Sequence, residues 1–168
     1  MRLLLDENVS RPLHQAIAAF VLGHEIVHLL DLDRWSGTRD ENLYPRAVAE
    51  GFHVILTNDA RQMQRLREVE AIAASGLHRI EYPHKHPGLI GIGLAIATVA
   101  AGLPAALALL AEADGQRLVT LRGIDPTPAS RLRVVDPAMV PPKILAASDV
   151  APLPWSPQTD GRKSHAHS

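Results

Sequence analysis

The residues of this chain with the clearest capacity for chemistry are acids placed where apolar segments end. Leu3-Leu4-Leu5 runs directly into Asp6, Glu7 and Asn8, and the segment FHVIL at 52–56 runs into Thr57, Asn58 and Asp59. A further acidic pair, Asp40 and Glu41, follows Thr38 at the head of a helical pattern. Clustered carboxylates repel one another unless a cation neutralises them. Hard oxygen donors in a chain without cysteine select Mg²⁺ or Mn²⁺. Such a site holds one or two metals that orient and deprotonate water and stabilise an in-line phosphoryl displacement. Each acid also has a structural reading. Strand-end acids cap the next helix, Thr38 and Glu41 have the spacing of a capping box, and Asp40 suits the positive end of a helix dipole. Two strand-end aspartates and a helix-start acid, all expected on one edge, favour the metal site.

That expectation depends on the elements that carry the acids. Residues 3–5 read as a buried strand, because a short apolar run bounded by polar residues fits a parallel strand covered on both faces. Ser10 is an N-cap and Pro12 lies in the first turn of a helix over 11–22 that stops at Gly23. HEIVHLL at 24–30 is a second strand, followed by a loop over 31–39 and a helix over 39–50. The third strand, 52–56, precedes a charged helix over 62–74, and LHRIEY at 77–82 is the fourth strand. RLVTLR at 117–122 is a fifth, and RLRVV at 131–135 is a candidate sixth. Alternating strands and helices with short connections imply a parallel sheet covered by helices on both faces. In such sheets ligands bind beyond the carboxyl ends of the strands, which is where Asp6 and Asp59 would converge.

A chain of 168 residues with 46% apolar content supports one domain with a real core. The domain is expected over 1–136, with a proline-rich, extended or disordered tail over 137–168. A net charge of −1 gives no global attraction to nucleic acid, so any such binding needs a local patch. The absence of cysteine excludes disulfides, zinc–thiolate sites and cysteine nucleophiles. No signal peptide precedes the first strand, and the cytoplasm is the default location. The uncharged segment 88–111 meets the length of roughly 20 residues for a membrane span. Gly102 and Pro104 interrupt it, however, as if one helix stopped and another began, so a buried or dimer-forming helix pair is expected rather than a membrane helix.

A basic supply flanks the acids. Arg61 and Arg65 are one helical turn apart just after Asp59, with Arg67 nearby, while Arg34, Arg39 and Arg46 flank the other acidic stretch. Arg39, Arg61 and Arg65 are the candidate contacts to a phosphate backbone, whereas Arg46 and Arg67 fit a solvated helix face. His84 and His86, with no third ligand nearby, make a weak transition-metal motif and read as ordinary surface residues.

The segments LLLDENVSRPL, GHEIVHLLDL and GTRDENLYPRAVAEGFHVILTND resemble, in order and spacing, the PIN-like ribonuclease domains that act as toxins in bacterial toxin–antitoxin pairs. The resemblance covers residues 1–82 and, more loosely, the chain up to about residue 135. It implies a three-layer α/β/α sandwich, Rossmann-like, with a mainly parallel central sheet, a divalent-metal site, an RNA substrate and a cognate antitoxin. By matching positions, Asp6, Asp40 and Asp59 take the metal-ligand places, and Thr57 and Asn58 match the polar residues before the last acid. Glu7 and Asn8 are supporting residues, and Glu41 is a further candidate ligand. The chain departs from the family pattern at Arg61, where related domains often carry an acid. That departure keeps open a catalytically silent PIN-like module acting through protein contacts. A receiver-type signalling domain would also pair Asp6 and Glu7 with Asp59, but it requires a lysine at the end of the fifth strand, and this one ends Thr120-Leu121-Arg122.

Overall fold

Leu3, Leu4 and Leu5 have no exposed surface, because their strand lies inside the sheet and both of its faces are covered. The computed structural model describes residues 1–127 together with Leu132, and the side chain of Asp40 lies outside the described set. Five parallel strands form one sheet: β1 (Arg2–Leu5), β2 (Glu25–His28), β3 (Val54–Thr57), β4 (His78–Glu81) and β5 (Leu118–Thr120), in the order β2-β1-β3-β4-β5. Four helices connect them: α1 (Arg11–Ala18), α2 (Asp40–Ala49), α3 (Leu66–Ser75) and α4 (Gly88–Ala111). The expected α/β class, with helices on both faces of a parallel sheet, is observed.

Strand periodicity sorts the core into two layers. Leu3, Leu5, Val54, Leu56 and Ile80 face one side and pack with Leu13 and Ile17 of α1 and with Ala95, Val99, Leu103 and Leu107 of α4. Leu4 and Ile55 face the other and pack with Leu43, Tyr44 and Ala47 of α2 and Ile72 of α3. Each β1 leucine therefore commits to one layer. Fully burying one such side chain contributes roughly 1.5–3 kcal/mol.

Several boundaries differ from the sequence reading for local reasons. Helix α1 ends at Ala18 rather than near 22, although Val21 still donates to the Ile17 carbonyl. Residues 29–31 turn into a short 3-10 helix instead of extending β2. Thr38 and Glu41 do not form a capping box. The Thr38 hydroxyl donates to the Trp35 carbonyl at 2.6 Å, which closes the preceding turn and leaves α2 with Arg39 as its cap residue and no side-chain cap. The expected helix over 62–74 is split. A 3-10 turn over Ala60–Gln64 is capped by Asp59, and Arg65 is extended before α3 starts.

The expected pair of helices in the apolar segment is a single helix, α4. Gly102 lies against the end of the Leu121 side chain, which a Cβ would meet at 3.0 Å, a tight contact. Pro104 is accommodated inside the helix. By length and composition α4 is apolar enough to cross a membrane, with mean hydropathy 2.2. It nonetheless forms the crossover between β4 and β5, which are hydrogen-bonded neighbours in the sheet. The candidate sixth strand at 131–135 and the tail over 137–168 lie outside the described residues.

Candidate active site at the carboxyl edge of the sheet

The strand order places a topological switch between β1 and β3, because the chain proceeds from β1 outward to β2 and then returns to β3 on the other side. The crevice outside such a switch is where open α/β sheets bind ligands. Asp6 leaves β1 at that point, with its backbone N–H donating to the Leu56 carbonyl at 3.0 Å. β3 delivers Thr57, Asn58 and Asp59 to the same edge.

Asp6 is only 3% exposed, and a buried carboxylate requires hydrogen-bond partners. Its Oδ1 accepts from the Glu7 backbone N–H at 2.7 Å and its Oδ2 from the Thr57 hydroxyl at 2.7 Å, with the Asn8 amide at 3.5 Å. The Thr57 oxygen in turn accepts from the Asp59 backbone N–H at 3.0 Å. One fully buried hydroxyl thus links the two aspartates across adjacent strands. Asp59, half-buried, uses Oδ1 to accept from the Arg61 backbone N–H at 2.9 Å, which starts the 3-10 turn. Beneath this edge the Tyr82 hydroxyl is pushed up to about 12, first by burial and then by the Asp6 charge, with a hydrogen bond to Asn58 opposing.

The supporting residues divide by task. Glu7 does not reach into the edge with its carboxylate, which accepts from Ser36 Oγ and Gly37 N–H, both at 3.1 Å, and anchors the loop that leads to α2. The Asn58 amide donates to the Asn8 carbonyl at 3.2 Å and joins the two strand-end loops. Asp40 is the first residue of α2. Among the described residues no three His, Cys, Asp or Glu side chains gather around one point, and the Asp40 side chain is not among them.

Two clefts open near this edge, and they divide the arginines. A cleft of about 500 Å³ is lined by Asn8, Asn58, Asp59, Ala60, Arg61 and His84. Another, of about 580 Å³, is lined by Arg39, Glu41, Arg65, Leu66, Arg67 and Glu68. Arg61 and Arg65 therefore do not share a helical face as their spacing suggested, because the break at Arg65 separates them. Arg67, exposed on the first turn of α3, lines the same cleft as Arg39 and Arg65. Glu41 lies in the second cleft, 3.9 Å from the Arg39 guanidinium.

Sequence reasoning missed two residues that hold this edge. Arg79, 2% exposed, donates through Nη2 to the Asp59 carbonyl at 2.8 Å and through Nη1 to Glu81 at 2.6 Å. Gln62, buried, accepts from the Tyr44 hydroxyl at 3.1 Å and ties the turn after Asp59 to α2. The available signal for Arg79 was a charge in the middle of an otherwise strand-like segment, a position that demands a partner.

Residues 1–81 match the family model of the PIN like domain. Domains of this kind are in general nucleases that use divalent metals. No curated protein and no solved structure matches the chain significantly. The matched span ends at the last residue of β4, so it contains the whole strand edge from Asp6 to Asp59. The strand order alone would also suit a receiver-type domain. The family match and the missing lysine after β5 set that reading aside.

The donors present fit a hard divalent cation. Asp6 Oδ1 keeps a lone pair after its one hydrogen bond, and Asp59 has a second oxygen beyond the one that caps the turn. Mg²⁺ is commonly held by one or two carboxylates while retaining several waters.

Proposed function

We propose that this chain is a Mg²⁺- or Mn²⁺-dependent endoribonuclease and the toxin of a toxin–antitoxin pair, acting in the cytoplasm and neutralised by a cognate antitoxin. The observation that carries the nuclease reading is the Thr57 hydroxyl, which holds the Asp6 carboxylate and the Asp59 backbone together at the switch of a PIN-like sheet. Asp6, Asp59 and Asp40 are the assigned metal ligands. The cation supplies a water nucleophile at neutral pH and charge stabilisation for phosphodiester hydrolysis.

The chain's own contribution is positioning and neutralisation. Thr57 and the Glu7 N–H fix the Asp6 carboxylate in one orientation, so no reorganisation is needed when RNA binds. Arg79 sets the direction of the Asp59 backbone. Arg39, Arg61 and Arg65 hold the RNA backbone through its phosphates. The toxin assignment rests on the likeness of LLLDENVSRPL and the following segments to that branch of the family. A homodimer is proposed from α4, whose Leu89 and Ile90 are 87% and 72% exposed.

The test is RNA cleavage with Mn²⁺ by wild type, Asp6→Asn and Asp59→Asn. Cleavage by wild type alone supports the assignment, and equal cleavage by all three would sink it. Arg61, standing beside Asp59 where relatives often have an acid, favours a second reading: a silent PIN-like module. Absence of cleavage by folded wild type, together with capture of a co-encoded partner, would select that reading.

A further inference from the structure

We infer that His84 is a substrate-contacting residue, binding with Arg61 the RNA phosphate that lies beside Asp59. This rests on the nuclease reading and adds to it a residue that the sequence presented as ordinary surface.

Placement follows from the sheet. Thr57 of β3 is in register with Glu81 of β4, so the residues after each strand continue side by side over the edge. Tyr82 N–H donates to the Thr57 carbonyl at 3.1 Å and extends that pairing by one step. Pro83 then packs on Gly123, where a Cβ would meet the proline ring at 3.0 Å. The chain is thereby fixed up to the residue before His84, and His84 emerges into the cleft with Asn8, Asn58, Asp59 and Arg61.

The electrostatic argument concerns what this cleft lacks. RNA must bring a phosphate close to two carboxylates, and a bare acidic edge repels it. The Arg61 and His84 side chains are exposed, and neither has a hydrogen bond or ion pair to another residue of the described chain. By contrast, Arg79 and Arg65 are engaged with Glu81 and Glu68. An imidazole N–H donates to a phosphate oxygen in either protonation state, and the guanidinium adds a two-pronged contact. Arg61 thus has a use in the position where relatives often carry an acid: it turns the outer wall of the site from metal-binding to phosphate-binding.

The experiment measures binding of a short fluorescent poly(U) to the full chain in EDTA, alongside Mn²⁺ affinity by calorimetry. His84→Ala should weaken RNA binding about fivefold to tenfold, the scale of one ordinary solvent-exposed hydrogen bond. Arg61→Ala should also lower the slope of log affinity against log salt by about 0.7. The double variant should lose less than the product of the two single losses, since both side chains serve one phosphate. Mn²⁺ affinity and the unfolding midpoint should stay at wild-type values in His84→Ala. Unchanged RNA affinity and unchanged KM for cleavage in His84→Ala would overturn this inference and leave the nuclease reading standing. A loss of Mn²⁺ affinity would overturn it too, by making His84 part of the metal site. A wild type that neither binds poly(U) nor cleaves RNA would remove both.

Discussion

The buried carboxylate at the β1–β3 switch and the arginine cleft beside it use charged side chains on opposite principles. At the β1–β3 switch the carboxylate of Asp6 is buried, and hydrogen bonds from Glu7 N–H and Thr57 fix it. In the cleft between the heads of α2 and α3, Arg39, Arg65 and Arg67 are exposed, and Arg39 meets Glu41 only at 3.9 Å. Burial makes the first arrangement strong and costly to disturb, because a desolvated acid without its partners is heavily penalised. Exposure makes the second cheap and tolerant, because water screens each charge. Chemistry at a reacting phosphorus needs the first kind of site. Holding a flexible, sequence-variable backbone needs the second.

The comparison breaks most readily at Asp6. Asp6→Asn should reduce Mn²⁺-dependent RNA cleavage to background while the protein stays folded, as read by cleavage assay and circular dichroism. Wild-type cleavage would show that the buried edge is only structural. Thr57→Val should come next. It keeps the shape but strands the Asp6 Oδ2 and the Asp59 N–H, so cleavage should fall about 10–100-fold, the usual cost of losing a residue that orients a ligand. Stability in denaturant should drop by about 1–3 kcal/mol, the cost of buried unpaired polar groups.

How much of this was legible in the sequence follows the same division. The LLLDEN and FHVIL–TND segments revealed their strands and strand-end acids, because a strand buried on both faces has a nearly continuous apolar run and its polar exit stands out. The Thr38–Glu41 spacing misled, because a hydroxyl can serve the turn behind it as readily as the helix ahead, and backbone geometry decides. Gly102 and Pro104 misled for a tertiary reason: α4 runs unbroken through both while packed in the core, with the Leu121 side chain against Gly102, and a sequence carries no sign of that contact. The role of Arg79 was hidden likewise, since its partner is a backbone carbonyl 20 residues away.

Tyr82 tests how dry the buried edge is. Its hydroxyl titrates near 12 in the fold, against an ordinary value of 10, chiefly from burial and then from Asp6. The folded state therefore holds its proton after the unfolded chain has released its own. The stabilisation is complete below pH 10 and is lost as pH rises through 12. It amounts to about 3 kcal/mol, since the rise is about two units and each is worth about 1.4 kcal/mol. Tyr82→Phe should flatten the stability profile over that window, measured by denaturant unfolding. An unchanged profile would mean that water reaches the hydroxyl.

The exposed cleft should respond more weakly and more evenly. Arg65→Ala and Arg67→Ala should each reduce RNA affinity by a similar factor for every sequence tested. Each should also lower the salt slope by about 0.7. Arg67→Ala should leave the unfolding free energy within about 0.5 kcal/mol, whereas Arg65→Ala, which strands the mostly buried Glu68 carboxylate, should cost about 1–3 kcal/mol. A sequence-dependent loss would mean that these side chains read bases rather than phosphates.

Glu41 is the sharpest discriminator between the clefts, because its expected effect is the smallest. By sequence it was a candidate ligand, an acid one residue beyond Asp40. In the fold it lines the arginine cleft and lies 3.9 Å from the Arg39 guanidinium, with 38% of its side chain exposed. A half-solvated pair at that distance contributes little, so Glu41→Gln should leave stability unchanged to within about 0.5 kcal/mol. Removing its negative charge should slightly strengthen RNA binding, since the remaining arginines then face the phosphates with less competition. Mn²⁺ affinity should stay at the wild-type value. If calorimetry instead shows Mn²⁺ binding weakened as much as in Asp6→Asn, the two clefts are one site, and the division of labour between the buried and exposed walls fails.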